Sequence, residues 1–479
     1  MMKRSIYEML DGFDEDAFPI GYGEENDFAI RAQRLGFTIA LADDVFAYHF
    51  KTTAFTSEER KNLAKLGSIF NRKKHEDVFN TYLQYMKSRV PFTITQNRIR
   101  DILLPQKVPE IDTNYDRKVV YVLPVQGAGG GVISVVQEVH QMRLMNLDAY
   151  VAIRESSLQF YEMHFPDMID VFMAFSTIDE LATKFVSGDT IVATHFTSVK
   201  LLLHILDKVS DLQIAYYVQD YEPNFHKEGS SLREEAVVSY NLFPDAILFS
   251  KTKWIADQIL TKHGVPVSLV TASIDHELFR PASCRITGSG LFSIVAMVRP
   301  ATPRRGASAT VQVLRALKLK FGSRIQVHTF GCSYGELHHL CVECSRNDTF
   351  FEHHGILNRK EVADLISQTD FFLDMSTYQA FGRSLAECMA SGCIPIGPLQ
   401  GGSAEFINED NGLLIDTSQV ETCIQHVIAL LSREQSALRL MSLRATIDVS
   451  HMTLKAAARS QMNVFGLLDK AGVEIDQYH

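Results

Sequence analysis

Tryptophan is almost missing from the 479-residue chain, which holds one, and cysteine is sparse at seven. Cys284, Cys332, Cys341, Cys344, Cys388, Cys393 and Cys423 are odd in number and confined to the second half. A disulfide scaffold is thereby excluded, and reduced thiols fit the pattern. Long apolar runs are also lacking: none reaches the ~18 residues that a membrane-spanning helix needs. The opening MMKRSIYEMLDGFDED has no signal-peptide apolar core, so the expectation is a soluble cytoplasmic protein, at most peripheral at the inner face of the membrane. Positive charge is in deficit, with 47 basic against 57 acidic residues and a net charge of -10. That leaves no broad footprint for nucleic acid, only room for a local phosphate site. Low-complexity tracts and short-period repeats are absent.

What remains is ordinary globular material, 46% hydrophobic and 22% charged, in a length that suits about three domains at ~100–200 residues each. Residues 1–90 open aromatic and acidic, then turn into a charged helical run over Ser57–Arg89. Residues 91–117, broken by Pro91, Pro105 and Pro109, read as a linker. At Lys118 the pattern becomes a buried strand, VVYVLPV, then the turn Gly127-Ala-Gly-Gly-Gly131, then a helix over Val132–Met145. Strands at Ala149–Ile153, Thr190–Ala193, Gln213–Val218 and Ala246–Phe249 extend this α/β domain to about residue 285. A second series over residues 286–445 has strands at Phe292–Met297, Gln326–Phe330, Thr349–Glu352 and Phe371–Leu373. Its helices are expected near Thr310–Lys320, Arg359–Gln368 and Ser384–Ala390, and residues 446–479 form a closing helical segment that could pack back across both lobes.

The segment Asp374-Met-Ser-Thr-Tyr-Gln-Ala-Phe-Gly-Arg-Ser-Leu-Ala-Glu-Cys-Met-Ala-Ser-Gly-Cys-Ile-Pro-Ile396 carries the strongest chemistry. A strand ends near Asp374, a loop presents Phe381 and Gly382, and a helix starts at about Arg383, so free backbone N–H groups face whatever lies above the strand ends. Glu387 sits one turn further on the same helix, where a carboxylate suits two ribose hydroxyls. Upstream, Arg299-Pro-Ala-Thr-Pro-Arg-Arg-Gly306 follows a strand. Guanidiniums stay charged and bond phosphate oxygens in pairs, and this run resembles the pair that grips the donor diphosphate in family-four glycosyltransferases, with Arg299 and Arg305 as the best matches and Arg304 close behind.

These motifs resemble the donor-binding lobe of family-four glycosyltransferases, and the likeness runs over about residues 118–430. The resemblance implies the GT-B fold, two Rossmann-like domains facing across a cleft. It also implies two acidic positions flanking the Phe-Gly turn; Glu387 matches the second, while Gln379 stands at the first and forfeits its charge. His354-Gly355-Ile-Leu357 resembles the stretch that meets the nucleobase, assigning Gly355 and Leu357 to the donor site. Gly129 and Gly130 correspond to the glycine turn beside the donor phosphates. Gln219 and Asp220 stand where relatives carry a His-Asp pair, so Asp220 joins Gln379 and Glu387 as candidate catalytic groups, and His195 is a further cleft candidate. The donor site is completed by Phe381, Gly382 and Arg383. Gln-Asp-Tyr-Glu-Pro at 219–223 adds a likeness to bacterial surface-polysaccharide rhamnosyltransferases.

The first ninety residues resemble the closing portion of a family-two GT-A glycosyltransferase, through Asp11-Gly-Phe-Asp-Glu-Asp-Ala-Phe18, Gly21-Tyr-Gly-Glu-Glu-Asn-Asp-Phe28, Arg31, Gly36 and Tyr48-His49. The likeness would make Glu25 the base, with Asp27 behind it and His49 a metal ligand. The nucleotide-binding half of that fold does not precede them, so an inactive remnant is expected, its uncovered apolar surface available to a partner. Cys341-Val-Glu-Cys344, with His338, His339, His353 and His354 nearby, has ligand-like spacing, yet no second paired-cysteine motif follows and no metal site is expected.

The sequence reading is therefore a hexosyltransferase using a nucleotide-diphosphate sugar, with dTDP-rhamnose as a candidate donor and no required cofactor. Its acceptor would be a polysaccharide or lipid-linked glycan, its partners membrane-associated assembly proteins, and its stereochemistry retaining. The alternatives are a non-catalytic glycan-binding scaffold, or a sugar-nucleotide epimerase with the same two lobes.

Overall fold

The computed structural model describes residues 4–19, 22–35, 37, 57–76, 78–80, 84, 117–124, 126–281, 291–340 and 351–468. The linker over 91–116, the expected domain boundary at 285–286, His49, Cys341 and Cys344 lie outside the described residues.

Two parallel sheets organise the chain. The first contains β1 (Val119–Val122), β2 (Ala149–Arg154), β3 (Phe172–Phe175), β4 (Thr190–Ala193), β5 (Gln213–Tyr217), β6 (Ile247–Ser250) and β7 (Ser268–Leu269), in the order β3-β2-β1-β4-β5-β6-β7. Val119 to Val122 have no exposed surface, because β1 pairs with β2 on one side and β4 on the other while helices cover both faces. Such a strand must be apolar throughout, which is why this segment stood out in the sequence. The second sheet contains β8 (Phe292–Met297), β9 (Ile325–Phe330), β10 (Glu352–His353), β11 (Phe371–Leu373), β12 (Ile394–Pro398) and β13 (Leu413–Ile415), in the order β10-β9-β8-β11-β12-β13.

Both sheets reverse direction of winding beside their first strand, between β1 and β4 and between β8 and β11. The crevice outside the strand ends at such a switch point is where open α/β sheets bind ligands. The glycine turn lies just past the end of β1, the arginine run just past β8, and Asp374 to Gly382 just past β11.

The closing helices divide between the lobes. Leu438 and Met441, on the helix Gln435–Asp448, enter the core of the second sheet. The next helix, Leu454–Val464, returns to the first: Ala458 and Met462, followed by Phe465 and Leu467, are part of the core formed by β1, β2 and the helix Gly130–Leu144. Gln461, fully buried there, accepts a hydrogen bond from the Tyr121 hydroxyl at 2.5 Å.

In the amino-terminal region, the helix Glu24–Arg34 crosses the helix Ser57–Lys74. A Cβ on Gly67 would stand 1.6 Å from the Tyr22 carbonyl oxygen, so the crossing requires glycine there. Asp27 is buried and receives Arg31 Nε at 2.7 Å, Lys74 Nζ at 2.7 Å and His75 Nε2 at 2.8 Å. Burial alone would raise the Asp27 pKa, but these donors outweigh it and hold the carboxyl below its ordinary range. Asp27 thus acts as an anchor between two helices, while Glu25 is exposed.

Candidate functional site

The arginine run forms a short 3-10 turn, Pro303–Arg305, that ends on Gly306 in a left-handed conformation, φ 60°. A Cβ on Gly306 would lie 2.1 Å from the Met375 carbonyl oxygen, so the arginine loop is pressed against the loop after β11. Arg304 contributes its carbonyl to the same contact, accepting from Thr377 N–H at 2.8 Å. The two loops that carry the expected phosphate ligands are therefore one rigid platform.

Arg305 is largely buried. Desolvation pushes its pKa down, Asp374 opposes this with a carboxylate oxygen 3.8 Å away, and the neighbouring charges of Arg304 and Arg299 add to the depression. Three guanidiniums gathered this closely repel one another and favour an anion between them. Arg304 reaches across to the first lobe, with Nη2 3.4 Å from Asp220 Oδ2 and its guanidinium over the rings of Phe225 and Tyr378. Its buried Nη1 has no hydrogen-bond partner. Burial raises the Asp220 pKa and Arg304 pulls it back; Asp220 Oδ1 also accepts from Tyr221 N–H at 2.8 Å.

Gln379 is buried at the floor of this group. Its Nε2 donates to Asp374 Oδ2 at 2.5 Å and to Ser376 Oγ at 3.1 Å. The carboxamide has a physical reason to be there, since a carboxylate would place two like charges in contact. The Gln379 carbonyl accepts from Gly402 N–H at 2.7 Å, and a Cβ on Gly401 would come within 2.1 Å of that oxygen.

Gly382, at φ 95°, starts the helix Arg383–Ala390. Arg383 donates Nε to Glu387 Oε1 at 2.9 Å and sends its other nitrogens into the first lobe, Nη1 to Ser134 Oγ at 2.6 Å and Nη2 to Gln137 Oε1 at 2.8 Å. A Cβ on Gly130 would lie 3.4 Å from Arg383 Cδ, so the small residue gives this side chain its path. Glu387, 7% exposed, also has Arg359 Nη1 3.6 Å from the same Oε1 atom. Arg359 Nη2 is buried without a hydrogen-bond partner.

Gly129 ends its turn as the cap of the helix Gly130–Leu144. Gly355, at φ 70°, gives its carbonyl to Gly331 N–H, and Leu357 packs against the cluster containing Leu385 and Ala386 from the Glu387 helix. Phe381 packs on Phe406, with Lys251 Nζ 5.8 Å from its ring centre. His195 caps the helix Phe196–Leu206, and burial beside His226 lowers its pKa to about 4.

A buried network inside the first lobe, joined to the second lobe through Arg383 and Ser134, is not foreseen from the sequence. Glu138 has no exposed surface and takes Lys251 Nζ at 2.9 Å, Tyr217 OH at 3.0 Å, Ser273 Oγ at 2.5 Å and Gln461 Nε2 at 2.7 Å. Lys251 also donates to Ser134 Oγ at 2.7 Å, the atom that Arg383 binds. The available signal was a glutamate inside the apolar run Val132–Val139. At a second contact, Glu405 accepts from Lys253 N–H at 3.0 Å and Trp254 N–H at 2.7 Å, capping a first-lobe helix with a second-lobe carboxylate.

Two Rossmann-like sheets whose switch-point loops meet in this way define the GT-B architecture. Residues 292–442, which contain the second sheet, match the family "Glycosyl transferases group 1". Anabaena HepE, crystallised with UDP and glucose, superposes with a TM-score of 0.58 at 14% identity, covering 73% of this chain and 99% of its own. Sucrose-phosphate synthase of Thermosynechococcus elongatus gives 0.57 at 14% identity, covering 74% and 99%. At that identity the likeness is one of fold. A GDP-mannose-dependent alpha-mannosyltransferase of Corynebacterium glutamicum is 38% identical over 63 residues, 13% of this chain. The chain spans 15% of the length of that curated relative. Among the described residues, no helix is long and apolar enough to cross a membrane.

Proposed function

We propose that the chain transfers a hexose from a nucleotide-diphosphate sugar to a glycan acceptor. The observation that carries this reading is the gathering of Arg299, Arg304 and Arg305 on a rigid loop at the switch point of a group 1 domain, beside the amino end of the Arg383–Ala390 helix. Guanidiniums and helix-end N–H groups would stabilise the charge that develops on the departing diphosphate. With retention of configuration, the bond from the anomeric carbon to the diphosphate oxygen breaks, the acceptor oxygen bonds on the same face, and its proton passes to the diphosphate. Glu387 takes the ribose, and Asp220 orients the acceptor or a sugar hydroxyl. Rhamnose from a dTDP donor is the favoured sugar, and a surface polysaccharide or its lipid-linked precursor the favoured acceptor, delivered by membrane-associated assembly proteins at the inner face of the membrane.

A panel of nucleotide sugars tested by thermal shift should single out the donor, since ligand that binds only the folded state raises the melting temperature. Product analysis with that donor and candidate glycans should show transfer; Arg305→Ala should lower it at least ~100-fold, as expected when charge stabilisation of a leaving group is lost, and Glu387→Ala should lower it by releasing the ribose. Full activity in both variants would refute the assignment. Conversion of the donor without any acceptor would instead identify an epimerase. Glycan binding without nucleotide binding would identify a scaffold, the reading that Gln379 at an acidic position favours.

A further inference from the structure

The second sheet ends in an edge strand of two residues, β10, whose side chains meet those of β9 in register, Glu352 opposite His328 and His353 opposite Thr329. The backbone continues the ladder one step further, with His354 N–H donating to the Thr329 carbonyl at 2.8 Å. Alternation along a strand therefore places Glu352 and His354 on one face, beside His328.

On that face His328 Nδ1 and His354 Nε2 share a hydrogen bond at 3.1 Å, His328 Nδ1 lies 3.5 Å from Glu352 Oε2, and His354 Nε2 lies 4.0 Å from Glu352 Oε1. A tetrahedral zinc ion with bonds of ~2.0–2.1 Å holds its ligand atoms about 3.3 Å apart. The observed separations bracket that value, so a cation could enter once the two imidazoles give up their hydrogen bond and the exposed Glu352 carboxylate turns inward. Among the described residues, this is the one group of three ligand-bearing side chains gathered so closely.

The surrounding chemistry selects these three groups. His353, next in sequence, is already committed through both ring nitrogens, Nδ1 to Thr329 Oγ1 at 3.0 Å and Nε2 to the Cys332 carbonyl at 3.0 Å. His338 and His339 belong to a separate helix, Tyr334–Leu340. A metal ligand must present an unprotonated nitrogen. Two imidazoles and one carboxylate on paired strands make a preorganised set for a borderline divalent ion, with a fourth position open to water.

We propose that His328, Glu352 and His354 bind a divalent transition cation of the zinc type, stapling β10 to β9. None of its ligands belongs to the arginine platform or to the Glu387 helix, while His354 immediately precedes Gly355 in the stretch whose likeness assigns it to the nucleobase, so the site adjoins the proposed donor pocket. It revises the sequence reading, which placed the metal-like spacing at Cys341 and Cys344 and expected no ion.

The test uses the untagged full chain, stripped with a chelator and titrated with ZnCl2 by calorimetry and with Co(II) by visible absorption. One saturable equivalent should bind, Co(II) should give tetrahedral bands without a thiolate charge-transfer band, and Zn(II) should raise the melting temperature. Glu352→Gln, at an exposed side chain that leaves the fold undisturbed, and His354→Ala should each weaken binding by more than the ~10–100-fold typical of losing an outer-shell partner. His338→Ala combined with His339→Ala should leave it unchanged. The proposal is overturned by any of three results: no saturable binding, parent-like affinity in Glu352→Gln and His354→Ala, or a thiolate band that moves the metal to cysteine.

Discussion

Gln379 illustrates how one side chain is fixed by its neighbour. Its amide gives Asp374 a donor at 2.5 Å, inside a buried pocket where Arg305 is the nearest cation. Gln379→Glu would replace that donor with a second carboxylate. The lost hydrogen bond to a charged group costs ~1.5–3 kcal/mol, and charge repulsion adds to it. Because either carboxyl relieves the repulsion by taking a proton, the variant should lose more stability, relative to the parent, at pH 8 than at pH 5. Thermal melts at the two pH values check this, and parallel melting of variant and parent would contradict it. The residue type could be read from the sequence, and so could its departure from the resembling family. Its reason could not, because Asp374 faces it only once the loop has closed.

At the scale of elements, the strand–loop–helix units that carry the anion chemistry were legible because each is local. β8, the arginine turn and the helix Ala307–Phe321 are contiguous, as are β11, the Phe381-Gly382 turn and the helix after it. Hydrophobic strands followed by glycine-bearing turns announce such units directly. The strands β3, β7 and β13 lie at sheet edges and are only partly buried or exposed, so they lack the continuously buried run that marks β1 and β11. The contact between the two anion loops was equally hidden, and it rests on Gly306. Gly306→Ala would combine a left-handed residue, costing ~1–2 kcal/mol, with a clash against the Met375 carbonyl. The expected outcome is a lower melting temperature together with weaker nucleotide-sugar binding in calorimetry, the second because Arg304 and Arg305 flank the displaced glycine. Parent-like affinity would show that the loops bind independently.

On the scale of the molecule, the unforeseen part is the network that joins the lobes. Arg383 and Ser134 are 249 positions apart, and Glu138 and Gln461 are 323 apart. No window of sequence contains such pairs, although the sequence leaves room for the closing helical segment to pack back across both lobes. The helix Leu454–Val464 supplies Met462, fully buried, to the first lobe. Met462→Ala should destabilise that lobe by ~2–5 kcal/mol, the usual cost of a buried large-to-small change. Proteolysis under native conditions should then cut first within the residue 119–269 sheet region; initial cleavage in the second lobe would argue against this placement.

The same helix has a consequence during synthesis. Tyr121 must wait for Gln461, 340 positions later, before its hydroxyl finds an acceptor. At ~5–20 residues per second, the interval on the ribosome is on the order of tens of seconds. Throughout it, the nascent first sheet carries an uncovered greasy face, so this is the stage at which chaperones are most needed.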